Sequence, residues 1–505
     1  MSVICSDPRM CADIARLEKA MQTHAKGVTA ALLAQDKKLS DYICESKGDF
    51  EKAISEYLLA MEKSGKLSEV ITDTLLNDLF ILEKKTAGII NVKEYGAIGN
   101  GIADDTAAIK NALDYMNPGD TLHFPTGTYL IIGEIEIKKK NITFEGEGTL
   151  LCGAGFRVKA SGFMAVGLRM EALEYWQQCR AFVIDNTDQS IETVIQNFTF
   201  KDCYFKNFFY SVSAIGGSYN HDGTEAEKGY PVRDLVIENC YSETYTDKNA
   251  GHFQCIQVEN IAYLNNRTYG GTTASSYNAI KGNGFIRVIG NYDHNNAYAS
   301  CEIENGSGNV VVANNTFNSK IWIDDSFCAV VNGNTTKEGI RVTVGSGVGD
   351  AENIVISNNV CRNIRCEQFG VYKGGTIKNA NIIGNVVNGD NTHGIWVHGN
   401  STEAVKICNN LITGANTNDI SIQRDTQLIC YMQGNFGNGN KLTIAGNGGK
   451  VYALDVYNMT TSGTRDPLET SHLERSFNGI KVTDSAGKEW RVNVNTSGEV
   501  HAIAY

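Results

Sequence analysis

The sequence predicts an all-β protein: a right-handed parallel β-helix, a single-stranded solenoid with an α-helical region before it and a small C-terminal β module after it. Three observations predict it. First, asparagines recur at Asn266, Asn291, Asn315, Asn334, Asn359, Asn385, Asn410 and Asn435, with gaps of 25, 24, 19, 25, 26, 25 and 25 residues. Second, an apolar residue stands three places before each: Tyr263, Val288, Val312, Val331, Ile356, Ile382, Ile407 and Met432. Another small or apolar residue stands five places before, from Ile261 to Cys430. Period-two alternation closing on an Asn is a strand and its corner. Third, a repeat of this length with short strands and no helical periodicity is a solenoid. Leu at fixed spacings is missing, which sets aside a leucine-rich repeat.

Composition agrees. The 505 residues include 51 Gly and only 5 Pro, which suits many tight, left-handed corners. A formal net charge of −12 argues against nucleic acid as the main partner, since phosphate binding needs clustered Lys and Arg. The 14 cysteines form no CxxC pair, and Cys203, Cys240, Cys361 and Cys408 fall where a strand places a small core residue. They read as buried free thiols formed in a reducing compartment, not as metal ligands or disulfides. No metal or other cofactor is expected. The opening MSVICSDPRMCADIARLEK shows no signal peptide, and no apolar run is long enough to span a membrane.

Residues 1–88 form the first segment, rich in Ala, Leu, Lys and Glu. Ile54, Tyr57, Leu58 and Met61, then Val70, Ile71, Leu75, Leu79 and Leu82, recur at helical spacing. Residues 89–450 are the solenoid. A second strand register precedes each Asn, and Ile256, Ile280, Ile303, Ile323, Ile340, Val371, Ile395 and Ile420 align as one inward column. Residues 451–505 alternate in period two with Gly turns and read as the separate β module.

Residues 91–131, NVKEYGAIGNGIADDTAAIKNALDYMNPGDTLHFPTGTYLI, carry a pattern of the form YGAxGDGxxDDTxAIxxAL followed by VxFPxGxY. Here Asn100 takes the place of the usual Asp. This stretch resembles the opening of the pectate-lyase-like β-helix family of phage tailspikes and appendages. Physically the motif is a cap. Asp104 or Asp105 can cap a helix beginning near Thr106, whose face of Ile109, Leu113 and Met116 can cover the open end of a solenoid. The resemblance implies a homotrimer on the virion tail, made in the host cytoplasm and attached to other virion proteins through its N-terminal region. It also implies binding and cleavage of a host surface polysaccharide.

The candidate chemistry lies in SCEIENG (300–306) and WIDD (322–325). With Ile303 and Ile323 pointing inward on successive turns, Glu302, Glu304 and Asp324 point outward together, and Asp325 turns toward the core or the corner. Glycoside hydrolysis needs one protonated and one ionised carboxyl, and crowding like charges raises one pKa. Neighbours on adjacent strands would lie roughly 5 Å apart, as in retaining enzymes, and a diagonal pair about 7–8 Å, as in inverting ones. Lys281 and Arg341 flank the patch in the expected outward column and could hold an anionic group. Trp322, Tyr372 and Trp396 could stack on sugar rings. Three readings stay open: a depolymerase hydrolysing a glycan, a non-catalytic adhesin or fibre, and a polysaccharide lyase.

Overall fold

The computed structural model describes residues 88–173, 179–186, 192–217, 231–246, 250–272, 274–304, 308–344, 350–368, 376–389, 393–398, 404–414, 417–423, 428–437, 441–445, 450–454, 460–462, 480–483, 489–494 and 500–504. The helical periodicity of residues 1–87, together with Val371 and Tyr372, lies outside the described residues. Contacts divide the chain into two units, Met1–Ile90 with Met116–Thr121, and Asn91–Tyr115 with Leu122–Tyr505. The solenoid belongs to the second.

Three parallel sheets of 15, 13 and 14 strands run the length of the solenoid, each strand pairing with its equivalent one turn earlier and one turn later. This is the right-handed parallel β-helix. Inward positions are apolar because every strand has one face toward the shared interior. The early turns are filled by aromatic rings, with Phe144, Phe156, Phe163, Phe182 and Phe200 in successive contact at centroid distances of 5.0–5.8 Å. Later turns hold Ile and Val, including Ile303, Val312, Ile323, Val342, Ile382 and Val397, all fully buried. Each such side chain contributes roughly 1.5–3 kcal/mol of burial.

The Asn column is a continuous buried ladder. From Asn266 to Asn410, each backbone N–H and each side-chain amide donates to the Oδ1 of the next Asn at 2.8–3.1 Å. The same amide also donates to a carbonyl one turn back, and from Asn291 onward that carbonyl belongs to the apolar residue three places before the previous Asn. One column thereby satisfies both the corner backbone and its own amides, as buried polar groups require.

The left-handed bend lies one residue earlier than the ladder. Asn265, Gly290, Asn314, Gly333, Asn358, Gly384, Asn409 and Gly434 all have φ between 55° and 72°. Asn and Gly alternate strictly. A Cβ placed on Gly290 would meet Asn265 Oδ1 at 2.3 Å, and one on Gly434 would meet Asn409 Oδ1 at 2.3 Å. Each Asn side chain thus occupies the space its Gly neighbour leaves. Gly290→Ala should destabilise the solenoid by about 1–2 kcal/mol from the left-handed backbone alone, plus the displacement of Asn265. An unchanged denaturation midpoint would refute this packing.

Helix α1 (Thr106–Tyr115) buries Ile109, Ala112 and Leu113 and packs against Ile135–Ile137 of the solenoid. Asp104 Oδ1 accepts from Thr106 N at 3.0 Å, and Asp105 accepts from Ile98 N at 2.6 Å and Gly99 N at 3.2 Å. Both acids of the motif hold backbone. Cys203, Cys240 and Cys361 are buried free thiols and Cys408 is half-buried. Burial pushes the Cys361 thiol up to about 12. No described helix is long and apolar enough to cross a membrane.

Solenoid pairing continues through Lys450–Leu454 and Thr460–Ser462. Ile480–Thr483, Glu489–Val494 and Val500–Ala504 form a separate antiparallel sheet.

The inward column differs from expectation at Ile256, Ile280 and Ile340, and Ile395 and Ile420 follow Ile340 through Ile364. Ala279, not Ile280, stands opposite Ile303, and Cys255 stands opposite Ala279. Ile256 and Ile280 are the next residues, half-buried on the outer face. The buried rings of Phe253, Tyr263 and Tyr277 leave room for only a small inward side chain there. Ile340 is inward but pairs with Ile321, and Val342 is the partner of Ile323.

Candidate active site on the third sheet

The site is built on six consecutive strands of the 14-stranded sheet: β1 (Tyr277–Ile280), β2 (Ala299–Glu304), β3 (Lys320–Asp324), β4 (Gly339–Val344), β5 (Asn363–Gln368) and β6 (His393–His398). Their register sets two outward columns. One reads Asn278, Glu302, Trp322, Arg341, Arg365, Trp396. In the other, Ile280 stands opposite Glu304, and Asp324 opposite Thr343 and then Glu367.

Glu302, Glu304 and Asp324 are brought together. Glu302 is 4% exposed and Asp324 3%, so they form a covered cluster in place of the open surface patch expected. Glu304 is the half-buried outer member. Three donors hold Glu302: Ser275 Oγ, Asn278 Nδ2 at 3.2 Å and Tyr298 Oη at 3.3 Å. Glu304 is hydrogen-bonded to Glu302. Its burial first, then the charge and hydrogen bond of Glu302 and the charge of Asp324, push its carboxyl up to about 9. Thr343 Oγ1 donates to Asp324 Oδ1 at 2.5 Å and accepts from Trp322 Nε1 at 2.7 Å. Asp325 is buried at a left-handed corner with φ 45°.

The raised Glu304 carboxyl has a consequence for stability. The folded chain keeps a proton that the unfolded chain releases from its ordinary value of 4.5 upward. The stabilisation is therefore complete below about pH 4.5 and is lost as the pH rises toward 9. Thermal midpoints of wild type minus Glu304→Gln should fall across that window, and a flat difference would overturn the shared-proton arrangement.

Trp322 is 6% exposed, with Lys320 Nζ 5.0 Å and Arg341 Cζ 5.3 Å from its ring centroid. Its ring is engaged by these cations, so it orients charges and Thr343 and offers a sugar little surface. Trp396 is half-exposed in the same column, with Arg365 Cζ 5.5 Å from its ring centroid. Arg341 lies opposite Trp322, in the Glu302 column and not the Glu304 column, and its Nε reaches Glu367 Oε1 at 2.7 Å. Lys281 and Gln257 are corner residues with φ 49° and 53°, outside both columns. Their shift follows from the one-residue register change at Ile280 and Ile256.

The sequence reading missed Tyr298, Lys320, Thr343 and Arg365. Lys320 stands two residues before Trp322 on the same outward face, a signal the period-two rule carries. Tyr298 precedes an irregularity between Ala299 and Cys301, which hides its phase. His252 is buried, donates to or accepts from Ser242 Oγ at 2.6 Å, and is pushed down to about 4 by burial. It belongs to the core. Among the described residues no group of three or more His, Cys, Asp or Glu is arranged to hold a metal ion.

Residues 89–318 match the family described as Rhamnogalacturonase A/epimerase, pectate lyase-like. Among curated proteins, the pre-neck appendage protein of Bacillus phage phi29 is 24% identical over 322 residues, 57% of this chain and 32% of that protein. The mannuronan C5-epimerase AlgE5 of Azotobacter vinelandii is 40% identical over 67 residues, 13% of this chain and 7% of that enzyme. The chain thus spans about a third of the length of its phage relative (32%). Among solved structures, the pre-mature gene product 12 of bacteriophage phi29 is similar with a TM-score of 0.47 and 15% identity, covering 77% of this chain and 58% of that one. Three stacked parallel sheets and capped first turns make the chain a parallel β-helix, and its residues 89–318 are similar to the pectate-lyase-like family.

Proposed function

We propose that this chain is the glycan-processing part of a phage appendage and that the outer face of the third sheet hydrolyses a host surface polysaccharide. The observation that carries the chemistry is Glu304, a carboxyl pushed up to about 9 beside Glu302 and Asp324. At neutral pH it holds the proton a glycosidic oxygen needs on leaving. Glu302, held by Ser275, Asn278 and Tyr298, fixes and tunes that acid. Asp324 supplies the second carboxyl one strand away. Carboxyls on adjacent strands, roughly 5 Å apart, fit a retaining outcome. The match to a phage pre-neck appendage protein supports the virion setting. Homotrimer assembly and attachment through residues 1–88 are part of this proposal.

Lys320 favours a second reading. It is half-buried beside the acids, and burial and Arg341 hold its ammonium below the usual lysine range. A lysine tuned downward can serve as the base of a lyase. Surface polysaccharides from candidate hosts, incubated with the purified protein, separate the readings. New reducing ends without ultraviolet absorbance support hydrolysis. Absorbing, unsaturated ends transfer the chemistry to Lys320 and elimination. A glycan that binds and stays intact makes the chain an adhesin.

A further inference from the structure

Directly along the stack from the acids, a cleft of about 280 Å³ is lined by Lys320, Glu338, Arg341, Arg362, Asn363 and Arg365. Four cationic side chains face one carboxylate there, in a chain of net charge −12. Arg341 pairs through its Nε with Glu367 at 2.7 Å, and the cleft still holds more cations than acids. In the cleft, Arg341 stands directly opposite Arg365. Like charges directly opposite on neighbouring strands are destabilising. Both guanidiniums are nonetheless seated against indole rings, Arg341 at 5.3 Å from the Trp322 centroid and Arg365 at 5.5 Å from that of Trp396. Lys320 adds a third charge, held against Trp322 and Tyr298. Cations crowded and preorganised in one cleft are stabilised by an oxyanion, which guanidinium binds in a fork.

We infer that the cleft binds an anionic substituent of the glycan: a carboxylate, sulfate or phosphate carried close to the linkage that the acids attack. The inference rests on the glycan-processing reading of the site. The register gives a direction. Acids stand on β2 and β3, cations on β4 and β5, and Trp396 on β6. The glycan then lies along the stack, with its anion two or three turns, roughly 10–15 Å, from Glu304.

The test measures binding by calorimetry at low and high salt, using four probes: galacturonate oligomers, chondroitin sulfate oligomers, glycerol phosphate oligomers and neutral dextran oligomers. The proteins are wild type, Arg362→Glu and Arg362→Gln/Arg365→Gln, each checked by circular dichroism. Arg362 is exposed, so its reversal spares the fold. At least one anionic series should bind wild type more tightly than dextran and weaken with salt, and both variants should lose tenfold or more. The series that binds identifies the anion. Equal binding by the variants, or no anionic probe binding better than dextran, overturns the inference. Cleavage of the same probes separates it from the parent reading. Anion binding through the cleft with no cleavage of any glycan leaves the cleft and removes hydrolysis. A neutral glycan cleaved equally by wild type and the double variant leaves hydrolysis and removes the cleft.

Discussion

Replacing Asn334 by Ala should lower the stability of the solenoid by about 3–5 kcal/mol, because several buried partners lose their mate at roughly 1–3 kcal/mol each. Asn334 Oδ1 accepts from Asn315 N at 3.0 Å and from Asn315 Nδ2 at 2.8 Å, and its Nδ2 donates to Val312 O at 2.8 Å. The residue is 1% exposed, so water cannot replace it without entering the core. Truncation orphans the Asn315 amide N–H, one Asn315 side-chain N–H and the Val312 carbonyl together. Stacked repeats couple only to their neighbours, so the break also separates the turns before it from those after it. Guanidinium denaturation should show a lower midpoint and a broadened or divided transition. A midpoint equal to wild type would mean that the ladder contributes nothing the corner backbone does not already supply.

Glu304→Gln should leave the fold intact and reduce glycan cleavage by about 10²–10⁴-fold, the range a general acid supplies. Gln retains a group that can hydrogen-bond Glu302 while removing the transferable proton. Glycan binding should survive, because the cationic cleft is untouched. The wild-type rate should fall on the alkaline side as Glu304 loses its proton near its raised value of about 9. Asp324→Asn should also lose activity, and the double variant should be little worse than either single one, since the two carboxyls act as a unit. Cleavage by Glu304→Gln at the wild-type rate would remove this carboxyl from the chemistry.

The corners of the fold were far more legible in the sequence than the faces. Asn266 to Asn435 can be aligned by eye because one residue type fills one column and no neighbour competes for it. Strand phase is harder. At Cys255-Ile256 and Ala279-Ile280 the larger residue attracts the inward assignment, yet the smaller one is inward because Tyr263 and Tyr277 already fill the interior. That one-residue slip moved Lys281 into the site. At β4, Ile340, Val342 and Val344 are all buried, so apolarity alone left Arg341 free to be matched one column away. The acids were found because Ile303 and Ile323, which flank them, do stand opposite each other. Their cover and the shared proton were not legible, since both depend on Ser275, Tyr298 and Thr343 arriving from other strands or corners.

The alternation of Asn265, Gly290, Asn314, Gly333, Asn358, Gly384, Asn409 and Gly434 gives the solenoid a parity. Its structural unit is a pair of turns, not a single one. Excising two turns keeps every corner Asn against its Gly. Consecutive Asn corners stand just before this run, at Asn239 and Asn265, so an odd change in length loses this packing without forbidding the fold.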